Sequence, residues 1–175
     1  MIKKLTARVQ KLNPALKDKE SVFSFCLNIE PESKDLSLTK GSIYSIFDLK
    51  GNLKFDIDIT QKLIKDVLTD TYYNTQGTSP TQSIEKALVK VKNTIYELQK
   101  KYGETQDTLS FSAVVAVLWG DVFYIVKYND SLAYIMKQTS LEPIETLGEG
   151  NLHFASVKVD QDQVVILCTK EFGIK

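Results

Sequence analysis

The sequence predicts an α+β domain built in layers. Three observations carry that prediction. Strand-like and helix-like segments are segregated, with two strands, then two helices, then at least five strands. The later strands are joined by short turns, as in an antiparallel meander. Strand and helix do not alternate along the chain, and no Gly-x-Gly-x-x-Gly is present, so a dinucleotide-binding βαβ fold is set aside.

The elements follow in order. Residues 1–20 read as irregular or weakly helical, with Pro14 breaking any long helix. Ser21 to Ile29 is rich in aromatic and branched residues and reads as a strand. Residues 31–41 form a polar connection ending at Gly41. Ile43, Tyr44, Ile46 and Phe47 make a second strand, and residues 48–52 a turn. A first helix is capped by Asp58 or Thr60 and buries Leu63, Ile64, Val67, Leu68 and Tyr72 at helical spacing. A second helix opens with Ser79, Pro80 and Gln82, a capping box with proline at its first position. Ile84, Leu88, Val91, Ile95, Leu98 and Tyr102 form its core face, and Gly103 stops it. Strands then follow in LSFSAVVAVL, VFYIVKY, SLAYIMK, LHFASVKV and QVVILCT. Gly120-Asp121, Asn129-Asp130 and residues 160–162 supply turns.

Size and composition narrow the function. A chain of 175 residues with 43% hydrophobic content supports one domain with its own core. Basic and acidic residues balance at 22 each, so no global field attracts nucleic acid. The local exception is a basic N-terminal arm, residues 1–20, with Lys3, Lys4, Arg8, Lys11, Lys17 and Lys19. It reads as a solvated terminal segment, with a docking arm or a membrane-surface contact as the alternative. No apolar stretch approaches the roughly 18 residues of a spanning helix, and no signal-peptide core follows Lys3 and Lys4. A cytoplasmic location is the expectation. Cys26 and Cys168 sit in apolar runs without metal-knuckle spacing and read as buried thiols in a reducing compartment. The single histidine, His153, lies in a strand-like segment and reads as structural.

Three stretches carry a family resemblance. The first is Ile43 to Gly51, a strand running into Asp48-Leu49-Lys50-Gly51. The second is Phe111 to Leu118, then Gly120-Asp121, Tyr124 to Val126, and Asn129-Asp130-Ser131-Leu132-Ala133-Tyr134. The third is Asp162 to Glu171. In order and spacing these resemble the PP2C-type (PPM) metal-dependent protein serine/threonine phosphatases over residues 21–172. The resemblance implies a PP2C-like αββα sandwich of two antiparallel sheets with flanking helices, over residues 21–175. It also implies a cleft in which carboxylates hold two Mn or Mg ions and a metal-bridging water attacks a phosphate monoester.

The departures from that pattern concern the metal ligands. Asp48 and Asp130 stand as the metal-binding aspartates that remain, in vestigial form. Asp130 also reads as an ordinary turn aspartate, and Asp48 as a polar strand-end residue. Leu49 replaces a glycine whose carbonyl helps to hold metal. Thr169-Lys170-Glu171 stands where the family has Thr-Asp-Gly, so Lys170 replaces a metal-binding aspartate. A shift of register by one would bring Glu171 to that position instead. Asn28-Ile29-Glu30 is a faint echo of the early acidic motif, and Arg8 is the sole arginine. The family's last aspartate lies on a further segment, so the domain is expected to lack its C-terminal portion.

These residues lead to a degenerate PP2C-like domain. The expectation is a pseudophosphatase or regulatory module that binds a protein partner or a phosphoprotein, with no catalytic residue and no cofactor. The alternative is an active phosphatase with an altered Mn or Mg site built from Asp48, Asp130 and Glu171. A third reading is an unrelated α+β interaction domain. An N-terminal-nucleophile hydrolase is the enzyme of that third class, and it would need cleavage before Thr6 or Ser21.

Overall fold

The computed structural model describes residues 5–12, 22–51, 56–101 and 109–170. In chain order the elements are β1 (Val22–Ile29), α1 (Lys34–Thr39), β2 (Ser42–Gly51), α2 (Ile57–Asn74), α3 (Pro80–Lys101) and β3 (Leu109–Trp119). β4 (Val122–Tyr128), β5 (Ser131–Lys137), β6 (Ser140–Pro143), β7 (Leu147–Glu149), β8 (Leu152–Lys158) and β9 (Val165–Thr169) follow. Six strands form one sheet in the order β1-β2-β3-β4-β8-β7, and three form another in the order β6-β5-β9. Every pairing is antiparallel.

β3 shows why the layers form. Its near-continuous apolar run suits a strand covered on both faces. Phe111, Ala113, Val115 and Val117 face one core, with Ile64, Leu68 and Tyr72 of α2 and Ile84, Leu88, Val91 and Ile95 of α3. Val114, Ala116 and Leu118 face a second core, with Ala133 and Ile135 of β5 and Val165 and Leu167 of β9. The two long helices therefore cover one face of the larger sheet and the smaller sheet covers the other. The result is an α+β sandwich of two antiparallel sheets with flanking helices.

Local chemistry sets the helix ends. Ser79 and Gln82 form the expected reciprocal box: the Gln82 amide donates to Ser79 Oγ at 3.3 Å, and the Ser79 amide to Gln82 Oε1 at 3.1 Å. The cap of α2 is Asp56, not Asp58 or Thr60, and its carboxylate accepts from the Ile59 amide at 3.0 Å. Asp58 lies in the first turn, where its charge favours the positive helix end. Thr60 is buried and donates its hydroxyl to the Asp56 carbonyl at 2.6 Å.

Two segments differ from expectation. The polar connection at 31–41 contains α1, capped by Ser33, whose Oγ accepts from the Leu36 amide. The expected turn at 48–52 is strand as far as Gly51. β2 is a central strand, paired with β1 on one side and β3 on the other through Lys50. Ladder bonds on both edges override the weak strand preference of Asp and Gly. Pro14, Asn52, Tyr102, Gly103 and Glu171 lie outside the described residues.

Of the basic arm, residues 5–12 are described and have no regular structure. Leu5 packs against the inter-sheet core, and its amide donates to the Gly120 carbonyl at 3.2 Å. Lys11 Nζ donates to the Cys26 carbonyl at 3.2 Å. Cys168 is buried and Cys26 half-buried, both as free thiols. Burial pushes both thiol pKa values up, opposite to the shift that makes a cysteine reactive.

Candidate functional site

β2 carries its even-numbered side chains toward the smaller sheet. Tyr44 and Ile46 pack into the inter-sheet core, and Asp48 follows on the same face. Asp48 is 2% exposed. A buried carboxylate needs partners for its charge. Ser24, opposite Asp48 in the β1–β2 register, donates its hydroxyl to Oδ1 at 2.5 Å. Lys50, two positions along β2 and so on the same face, places Nζ 3.9 Å from Oδ2. That distance makes an ion pair without a hydrogen bond.

Asp130 stands in the β4–β5 turn, and its neighbours pin that turn to the larger sheet. Asn129 adopts the left-handed conformation, with φ 54°. Its side-chain amide donates to the Phe111 carbonyl at 2.6 Å, and its backbone amide to the Asn151 carbonyl at 2.9 Å. Ser131 Oγ donates to the Ala113 carbonyl at 2.6 Å. The Asp130 carboxylate itself is exposed and holds Lys170 Nζ at 3.2 Å. The Lys170 amide donates to the Asp130 carbonyl at 3.1 Å, continuing the register in which Ser131 faces Thr169.

The two aspartates reach the same end of the sandwich. Asp48 faces Ser112 across the β2–β3 ladder, and Ser112 and Asp130 line one cleft. Each aspartate carries a lysine. Among the described residues no group of three or more Asp, Glu, His or Cys side chains is placed to hold a metal ion. Hard divalent ions require several oxygen ligands. Asp48 and Asp130, each already on an ammonium, do not fit a pair of such ions. His153 lies in β8 and lines the same cleft, with Nε2 3.2 Å from the Gly150 carbonyl. A carbonyl only accepts, so Nε2 carries the proton.

The motif pattern singled out Asp48, Asp130 and Lys170, and the structure joins the last two directly. It did not single out Ser24, which lies 24 residues from Asp48 in sequence. The available signal was the run Ser24, Cys26, Asn28 on β1, alternating with the buried Phe25, Leu27 and Ile29. That alternation names a polar face without naming its partner.

Comparison with known proteins bears on the fold. No protein-family model matches the sequence, and no curated protein matches it. Solved structures do match. The catalytic domain of the serine/threonine protein phosphatase PstP, in complex with two manganese ions, superposes with a TM-score of 0.58 at 11% identity. That match covers 85% of this chain and 77% of the other. PppA of Pseudomonas aeruginosa, described as a key regulatory component of its T6SS, gives 0.58 at 14% identity over 86% of this chain and 76% of the other. A Caenorhabditis elegans (C. elegans) sex-determining protein gives 0.57 at 10% identity over 87% of this chain and 52% of the other. The expected PP2C-like fold is borne out, and the third reading, an unrelated α+β or N-terminal-nucleophile fold, is set aside. The chain has the fold of the PP2C-type serine/threonine phosphatases.

Proposed function

We propose that this PP2C-like domain is non-catalytic and acts by binding, as a regulatory or scaffolding module for a protein partner or a phosphoprotein. The observation that supports this reading is Lys170 Nζ at 3.2 Å from Asp130 Oδ2. The ammonium stands on the carboxylate where a divalent ion would need it free. A lysine neutralises a carboxylate but does not lower the pKa of a bound water as a divalent ion does. Lys50 beside Asp48 works in the same sense. A regulatory role accords with the description of PppA, whose fold this chain shares. Free Cys26 and Cys168 accord with a cytoplasmic setting. Among the described residues no helix is long and apolar enough to cross a membrane.

The test is Mn and Mg titration by calorimetry, paired with hydrolysis of a phosphopeptide, with Asp48→Ala as control. The expected result is no binding at millimolar metal and no turnover. Micromolar binding that Asp48→Ala abolishes, together with Mn-dependent hydrolysis, would overturn the reading in favour of an active phosphatase with an altered site.

A further inference from the structure

We propose that the outer face of the three-stranded sheet is a homodimer interface, covered by a second copy of this chain.

β5 alternates between two surroundings. Ala133 and Ile135 enter the inter-sheet core, so Leu132, Tyr134 and Met136 lie on the other face. The register widens that outer face. Leu141 of β6 stands beside Met136, and Tyr134 has Pro143 on one side and Ile166 of β9 on the other. None of these residues joins either core, and each is half-buried or exposed. The helices turn elsewhere, since the apolar residues of α2 and α3 enter the core on the far side of the larger sheet. An antiparallel sheet that meets water on one face normally carries polar residues there. A contiguous apolar face marks a contact surface instead.

Charge and symmetry select a second copy as the occupant. Tyr134 is the middle residue of the middle strand, in one row with Pro143 and Ile166. A two-fold axis along that row stacks the two faces as in a sandwich. It sets Tyr134 on the partner's Tyr134, and Leu132 on the partner's Met136. β9 then lies over β9 of the second copy in the reverse direction. Asp162 and Lys170 are equidistant from Ile166 along the chain, so Lys170 of each copy comes over the partner's Asp162. Asp162 is exposed, and among the described residues it has no ion-pair partner. Lys170 is 65% exposed beside Asp130 and is open to a second carboxylate. The face is thus acidic before β9 and basic after it, and it complements itself when reversed. Lys137 and Glu142 do not disturb this match. They bond each other at 2.7 Å, and Lys137 shares its side of β5 with Ile135.

The size of the face sets the strength of the contact. Three strands about 4.8 Å apart, over the seven residues of β5 at about 3.4 Å each, project on the order of 350 Å2 per copy. A standard interface takes roughly 800 Å2 per partner. The dimer is accordingly weak and forms with rising concentration.

The test is sedimentation equilibrium of the full chain over a micromolar-to-millimolar series. The average mass is expected to rise from one chain toward two. A monomer throughout would overturn the interface, and so would a monomer whose face is taken by a different protein. Tyr134→Lys and Tyr134→Glu each set like charges on the axis and are expected to remain monomeric, with unchanged far-UV circular dichroism. Their equimolar mixture sets opposite charges there and is expected to dimerise. A dimer that persists in either variant alone, or that fails to form from the folded mixture, would overturn the two-fold. Asp162→Asn leaves the apolar face untouched and suits the left-handed φ of 65° at that position. It is expected to weaken association about threefold. Unchanged association in Asp162→Asn would overturn the pairing with Lys170.

Discussion

Lys170 and Asp130 hold each other twice: the side chains meet at 3.2 Å, and the Lys170 amide donates to the Asp130 carbonyl at 3.1 Å. The backbone bond belongs to the pairing of β5 with β9 and survives any substitution other than proline. The side-chain pair is 65% and 69% exposed, so its own worth is at most about 1 kcal/mol. Lys170→Ala should therefore change stability by less than about 1 kcal/mol in urea unfolding. Lys170→Asp should behave differently. It sets two carboxylates together, lowers stability in EDTA, and creates a site that Mn occupies. A rise in Tm on adding Mn to Lys170→Asp, absent from the parent chain, is the expected result. Equal Mn stabilisation of both chains would show that Lys170 does not exclude the metal.

Ser24 tests whether Asp48 is held as a structural carboxylate. Its hydroxyl is the short hydrogen bond to Oδ1, while Lys50 stays at ion-pair distance from Oδ2. Hydrogen bonds to charged groups contribute about 1.5–3 kcal/mol. Ser24→Ala should cost that much, and Ser24→Ala with Asp48→Asn should cost less than the two single changes together, because the pair is coupled. Urea unfolding of the four chains closes the cycle. Strict additivity would mean that the hydroxyl does not hold the carboxylate.

The fold was legible where one signal dominated. The face of α3 from Ile84 to Ile95 repeats at helical spacing, and its cap residues match a known reciprocal pattern. The layered order followed from turn chemistry at Gly120-Asp121 and Asn129-Asp130. α1 was not legible, because it is six residues long and buries none of them. The length of β2 was not legible either, because Asp48, Lys50 and Gly51 suit a turn, and only pairing on both edges makes them strand. At the site, the chemistry of Asp48, Asp130 and Lys170 could be named from order and spacing. Ser24 and Ser112 could not, because what matters about them is which cross-strand neighbour they meet.

Gly41 links α1 to β2 at a position that admits no side chain. Its φ is +75°, and a Cβ there would stand 2.1 Å from the Leu118 carbonyl oxygen. That oxygen is backbone in a central strand and cannot move aside. The Gly41 carbonyl also accepts the Tyr73 hydroxyl at 3.0 Å. The left-handed conformation alone disfavours alanine by roughly 1–2 kcal/mol, and the clash adds to it. Gly41→Ala should lower stability by at least about 2 kcal/mol. Gly77→Ala is the control, since φ is +67° there but nothing lies within 4 Å of the added carbon. Comparable losses at both positions would show that conformation, not the Leu118 contact, sets the cost.

The two tyrosines that end α2 give the domain an alkaline limit. Tyr72 donates its hydroxyl to the Lys40 carbonyl at 2.7 Å, and Tyr73 donates to Gly41. Both phenols must keep their protons to make these bonds. Burial pushes both pKa values well above that of free tyrosine, with Tyr73 and Tyr124 adding to the shift of Tyr72, and Tyr44 and Glu30 to that of Tyr73. In the unfolded chain the same phenols ionise near about pH 10. A pKa raised by folding means stability that is complete below the unfolded value and lost as pH climbs past it. Each tyrosine should therefore remove up to about 1.4 kcal/mol of stability per pH unit above about pH 10. Tyr72→Phe should lower stability at neutral pH by about 1 kcal/mol, through the lost hydrogen bond, yet flatten the alkaline slope by one tyrosine's share. Urea unfolding in steps from about pH 8 to about pH 11 reads both effects. A slope unchanged by Tyr72→Phe would mean that the phenol titrates alike in the folded and unfolded chains, and that its burial does not govern its ionisation.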